Sequence, residues 1–100
     1  MEYSIDERRS ILVLLSEVMK ADEIIRPEEE NYLASVANSL GTADEDFDHL
    51  ESMYWNKALT VFSKMSMEKK NIVIKICKEM AMVDNYYDRR EKILIDKLLE

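Results

Sequence analysis

At 100 residues, 47% of them hydrophobic, the chain has the length of one domain and enough apolar side chain for one core. That excludes a disordered tail. It holds one Gly and one Pro, far below ordinary usage of about 7% and 5%, and a β fold needs such residues at every hairpin. The chain therefore reads as all-α. A formal charge of −7 argues against non-specific binding to nucleic acid or to an acidic membrane surface.

The charge is unevenly spread. Residues 1–63 hold 5 basic and 14 acidic side chains, whereas residues 64–100 hold 9 and 7. This polarity suits self-association or a protein partner with a basic patch, although solvated helix faces are the plainer account of it. Cys77 is the only cysteine, so no disulfide forms within the chain. The opening MEYSIDERRS is not the basic-then-apolar run of a signal peptide, and no apolar run approaches the roughly 18–20 residues of a membrane span. The expectation is a cytoplasmic protein without membrane insertion.

Ser4 and Glu7 have the spacing of a capping box, which predicts a first helix from Ile5 to Ala21. Ile11, Leu12, Leu14, Leu15, Val18 and Met19 form its apolar arc, and Val13 falls on the opposite, polar side. Pro27 suits the first position of a second helix, and Glu28, Glu29 and Glu30 sit favourably against its positive end. Tyr32, Leu33, Val36, Ala37 and Leu40 carry that helix's apolar face, and Gly41 ends it in the left-handed conformation. Thr42 and Glu45 suggest another capping box, opening a helix through Phe47 and Leu50 towards Glu51. Met53 to Met65 reads as a further helix with Trp55, Ala58, Leu59 and Phe62 inward. Ser66 caps a helix from Met67 to Val83, with a polar stripe of Asn71, Lys75, Lys78 and Glu79. Asp88 and Glu91 make a third box-like pair, and the last helix runs from Arg89 towards the C-terminus.

Part of the chain repeats. ILVLLSEVMKADEIIRPEE from Ile11 parallels the stretch from Val73 to Glu91, with three carboxylate pairs at a constant offset: Glu17 and Glu79, Asp22 and Asp84, Glu29 and Glu91. Apolar positions follow the same offset, among them Leu12 and Ile74, Leu15 and Cys77, Val18 and Met80, Met19 and Ala81, Tyr32 and Leu94, Leu33 and Ile95, and Val36 and Leu98. The expected architecture is a compact bundle of five or six helices in one domain, residues 1–100. Repeat 1 covers about 5–40, the middle helices 42–65, and repeat 2 residues 67–100. The Ile11–Met19 and Ile72–Met80 segments, with the widest apolar arcs, are expected to pack together at the centre.

Each repeat carries an Asp with a Glu seven residues on: Asp22 with Glu29, and Asp84 with Glu91. That matches the second half of an EF-hand loop, but the first half fails. Its two leading ligand positions would fall on Val18 and Lys20, or on Met80 and Met82, and the loop glycine is replaced by Glu23 and Asn85. The plain reading is that each Asp accepts backbone N–H bonds in its loop and each Glu caps the next helix. The alternative is a weaker divalent-cation site built from both loops.

His49, with Glu45, Asp46, Asp48 and Glu51 nearby, reads as a solvent-facing histidine, with a carboxylate–imidazole cation site as the alternative. One histidine does not supply the two Glu-x-x-His units of a di-iron bundle. No Gly-flanked serine elbow, Gly-rich phosphate loop or exposed-thiol pattern is present. No catalytic residue, cofactor or small-molecule substrate is assigned, and the expectation is a non-enzyme. Tyr86 stands where the first copy has Ile24 and is flanked by Arg89 and Arg90, which makes these three the candidate partner contact.

At the two loops the sequence resembles the TerB-like domains of tellurite-resistance proteins, shared with the co-chaperone DjlA. Members look like A-D-G-x-I-x-x-x-E after an apolar helix, twice per domain. Here the copies are Ala21-Asp22-Glu23-Ile24-Ile25-Arg26-Pro27-Glu28-Glu29 and Val83-Asp84-Asn85-Tyr86-Tyr87-Asp88-Arg89-Arg90-Glu91. Both glycines are replaced, Ala becomes Val83, and the second apolar position is Tyr87. The resemblance implies a helical bundle with pseudo-twofold halves and a stress-response interaction role. It also implies divalent-cation binding at Asp22, Glu29, Asp84 and Glu91.

Overall fold

A computed structural model describes residues 2–21, 26–41, 54–82 and 89–99, with the side chains of Glu91 and Leu99 excepted. Among these residues all regular structure is helical: α1 (Ile5–Lys20), α2 (Pro27–Ser39), α3 (Trp55–Ser63), α4 (Met67–Met82) and α5 (Arg89–Leu99). The expected helix over residues 42–51, with its Thr42 and Glu45 box, lies outside the described residues. So do the His49 cluster and the Asp88 half of the third box. No described helix is long and apolar enough to cross a membrane.

The helix ends follow from local chemistry. The Ser4 hydroxyl accepts from the Glu7 N–H at 3.1 Å, and Glu7 Oε1 accepts from the Ser4 N–H at 2.8 Å, so the predicted capping box opens α1. Pro27 occupies the first turn of α2, where its missing N–H has no intrahelical partner. Beyond α2, Gly41 adopts φ 71°, the left-handed conformation a side chain disfavours, and its N–H bonds to the Asn38 carbonyl. Ser66 caps α4 by accepting from the Lys69 N–H at 3.2 Å.

α1 is the central element. It packs against each of the other four described helices, most extensively against α3 and next against α4. Six consecutive residues, Ser10 to Leu15, are buried, which an amphipathic surface helix never allows. Val13 is therefore not on a polar side: it is only 5% exposed. Its expected placement assumed a solvated face on α1, and α1 has none over this stretch because helices surround it. Ser10, the one polar residue in the run, satisfies its hydroxyl locally by donating to the Glu7 carbonyl at 2.8 Å.

The two segments expected to pair do pack together, although neither is the other's only neighbour. α4 packs on α1 through one stripe, Val73, Cys77, Met80 and Ala81, and exposes its expected polar stripe of Asn71, Lys75, Lys78 and Glu79, together with Met82. The principal cover of α1 is α3, through fully buried Ala58 and buried Phe62. A small residue at 58 fits a close helix crossing, and Met65, buried just past the end of α3, fills the corner.

Leu15 is fully buried, so Leu15→Ala should destabilise the fold by about 2–5 kcal/mol in chemical denaturation. Val13→Lys separates the two placements of that residue. Burial of an unpaired ammonium should collapse the melting transition, whereas a solvated position would leave it nearly unchanged.

Candidate functional site

Of the four loop carboxylates, Glu29 is the one whose side chain is described. It sits in the first turn of α2 at 1% exposure. Its Oε1 accepts from the Arg26 backbone N–H at 3.3 Å and lies 3.9 Å from the Arg26 guanidinium. The expected capping role is what Glu29 performs. Arg26 offers no acceptor for the reciprocal bond, so the carboxylate supplies the side-chain half of the cap alone. Asp22, Asp84 and the side chain of Glu91 lie outside the described residues. A divalent ion needs several oxygen ligands, and no group of three or more His, Cys, Asp or Glu able to hold one occurs among the described residues. Glu29 is committed to a backbone N–H and faces a guanidinium, a poor fit to a shared cation site.

Glu17 and Glu79, the first pair of the repeat, diverge in use. Glu17 is exposed on α1. Glu79 accepts from the Tyr32 hydroxyl at 2.5 Å and lies 4.0 Å from the Lys75 ammonium, one turn back on α4. Burial first, then this hydrogen bond and the carboxylate's charge, push the Tyr32 phenol well above its ordinary range, so it remains a donor. The bond ties α2 to α4 at the mouth of a groove of about 590 Å³.

A second polar cluster joins the start of α1 to the start of α4. Lys69 Nζ donates to both Glu7 oxygens, at 3.0 and 3.2 Å, and stands 5.4 Å from the centre of the Tyr3 ring. The Ser4 backbone N–H bond chiefly, with help from Lys69 and against partial burial, holds the Glu7 carboxyl below its usual range. Neither cluster was expected from the sequence. Tyr32 was assigned by periodicity to the apolar face, correct for its half-buried ring, and no local pattern reports a partner so far along the chain.

Cys77 is fully buried on the inner stripe of α4, and burial pushes its thiol up to about 12. Arg89 and Arg90 are exposed in the first turn of α5, whereas Tyr86 and Tyr87 lie outside the described residues.

The fold and these clusters define an all-α domain and no more specific class. In comparisons with known proteins, no family model, no curated protein and no solved structure matches the chain.

The folded Glu7 carboxyl titrates below its unfolded value near 4.5, so its stabilisation is complete above that range and is lost as the pH falls through the folded value. Melting temperatures measured down to about pH 3 should fall less steeply for Glu7→Gln than for the parent chain. Cys77 should resist a thiol reagent at neutral pH and react at once in denaturant. Rapid labelling of the native chain would place the thiol at the surface.

Proposed function

We propose that the chain is a non-enzymatic, cytoplasmic interaction module of the TerB-like kind, one domain over residues 1–100, acting as an adaptor in a stress response. The observation that carries the interaction role is the surface: Tyr54, Met67, Met82 and Ile93 are large apolar side chains left exposed. They occur beside a surplus of lysine in the second half of an otherwise acidic chain. Contact sites favour aromatic residues and methionine in such settings. The TerB-like reading draws support from burial across the repeat. Ile11 and Val73, Leu15 and Cys77, Val18 and Met80, Met19 and Ala81, and Val36 and Leu98 are buried at both members of each pair.

Within this reading Tyr86, Arg89 and Arg90 form a partner contact. Arg89 and Arg90 stand at the positive end of α5, where the helix dipole disfavours cations, so a role other than holding the helix suits them. Tyr86→Ala combined with Arg90→Ala should change stability by no more than about 0.5 kcal/mol, as for ordinary surface substitutions, while weakening self-association or capture of a protein partner. A large stability loss would show that these side chains are packing.

The alternative reading is a divalent-cation protein using Asp22, Glu29, Asp84 and Glu91. Its support is the spacing shared by the two repeats, an Asp with a Glu seven residues on, while the hold of Arg26 on Glu29 weighs against it. Melting curves with excess chelator and with Mg²⁺, Mn²⁺, Ca²⁺ or Zn²⁺ separate the two, because an ion that binds only the native chain raises its melting temperature. The interaction-module reading expects coincident curves and a loss of stability for Asp22→Ala even in chelator.

A further inference from the structure

Two grooves flank the outer side of α4. One, against α2, has Tyr32, Ile74 and Met82 on its apolar side, with Lys75, Lys78 and Glu79 on its polar side. The other, about 550 Å³ between α3, α4 and α5, is lined by Leu59, Phe62, Met67 and Leu98, with Lys70 and Lys97 at its rim. Both include Asn71 and Ile74, so they meet in one band across α4.

The stripe Met67, Asn71, Ile74, Lys78 and Met82 steps by three or four residues, the spacing of one helix face. Met67 and Met82, at its ends, are 69% and 58% exposed. Methionine adapts its shape to whatever packs on it.

The band is also the wrong sign for this chain. Against a formal charge of −7 it gathers four lysines and one carboxylate, Glu79, which Tyr32 and Lys75 already engage. Among the described residues no carboxylate lies within ion-pair distance of Lys70, Lys78 or Lys97, although the chain has acidic side chains to spare.

The geometry points to a docking band for an acidic amphipathic helix of a partner protein. Its apolar stripe lies over Ile74 and the two grooves, and its carboxylates meet Lys70, Lys78 and Lys97. A helix fits because it presents a ridge of side chains to a groove, which a flat bilayer surface does not. The inference rests on the interaction-module reading and gives it contact residues other than Tyr86, Arg89 and Arg90.

The test is amide NMR of the ¹⁵N-labelled full chain titrated with a synthetic helical peptide of about 18 residues, roughly 27 Å long. The peptide carries Leu at helical spacing and Glu elsewhere; a control has Lys at every Glu. Saturable shifts are expected at Met67, Lys70, Ile74, Lys78 and Lys97 with the Glu peptide and not with the control. Affinity should fall roughly tenfold in Lys78→Glu with Lys97→Glu, two exposed positions, and should also fall with added salt. An unchanged melting temperature shows that the double variant is folded. Equal binding of both peptides, no saturable binding, or binding to phosphatidylserine vesicles in place of the peptide overturns the band. A dimer in sedimentation that the same double variant abolishes overturns it as well. Shifts confined to Tyr86 through Arg90 overturn it while leaving the interaction-module reading standing.

Discussion

The burial of α1 on all sides is the constraint from which the rest follows. A helix with six consecutive buried residues satisfies its backbone internally, but its side chains need neighbours in every direction. Each fully buried Leu, Ile or Val in that run contributes about 1.5–3 kcal/mol of transfer free energy. An exposed ion pair contributes about 0–1 kcal/mol, so the run outweighs any surface pairing. The other helices need only one apolar stripe each, because each lies on one side of α1. That explains how α2 and α5 keep largely polar sequences and still fold onto the core through Val36 and Ala37, and through Ile95 and Leu98.

The same arrangement decides where chemistry has room. Polar groups near the centre are tied off locally: Ser10 to its own helix, Glu29 to the N–H of the residue before Pro27. A buried thiol on the inner stripe of α4 has no route to a reagent or a metal. The outer side of α4 differs, because nothing described covers it and its cations exceed its carboxylates. Tyr32 and Glu79 hold α2 against α4 there, fixing the wall of one groove.

Much of the fold was legible in the sequence because helix signals are local. The Ser4 and Glu7 box, Pro27, Gly41 and the Ser66 cap all act within a few residues of themselves. Val13 was misplaced because periodicity assumes that a helix has a wet side, and whether it does depends on how many neighbours surround it. Ala58 was legible only weakly, since a small residue carries little hydropathy yet permits the closest crossing. The Lys69 and Glu7 pair and the Tyr32 and Glu79 bond join distant helices, so they depend on tertiary geometry that no short pattern encodes. Of the expected site residues, Glu29 was read correctly as a cap, and Arg89 and Arg90 stand exposed as a contact would require.

Placing the most deeply buried helix first in the described chain has a kinetic side. α1 draws its main cover from α3 and α4, both distant in sequence, and little from its neighbour α2. Helical bundles built from adjacent hairpins fold quickly because their contacts are local; here the decisive contacts are not. Chain entropy opposes closing that long loop before burial rewards it. During synthesis α1 leaves the ribosome with five consecutive apolar residues from Ile11 to Leu15, and its main cover comes only once α3 has been made. For that interval the nascent chain is a ligand for any factor that holds exposed hydrophobic helices.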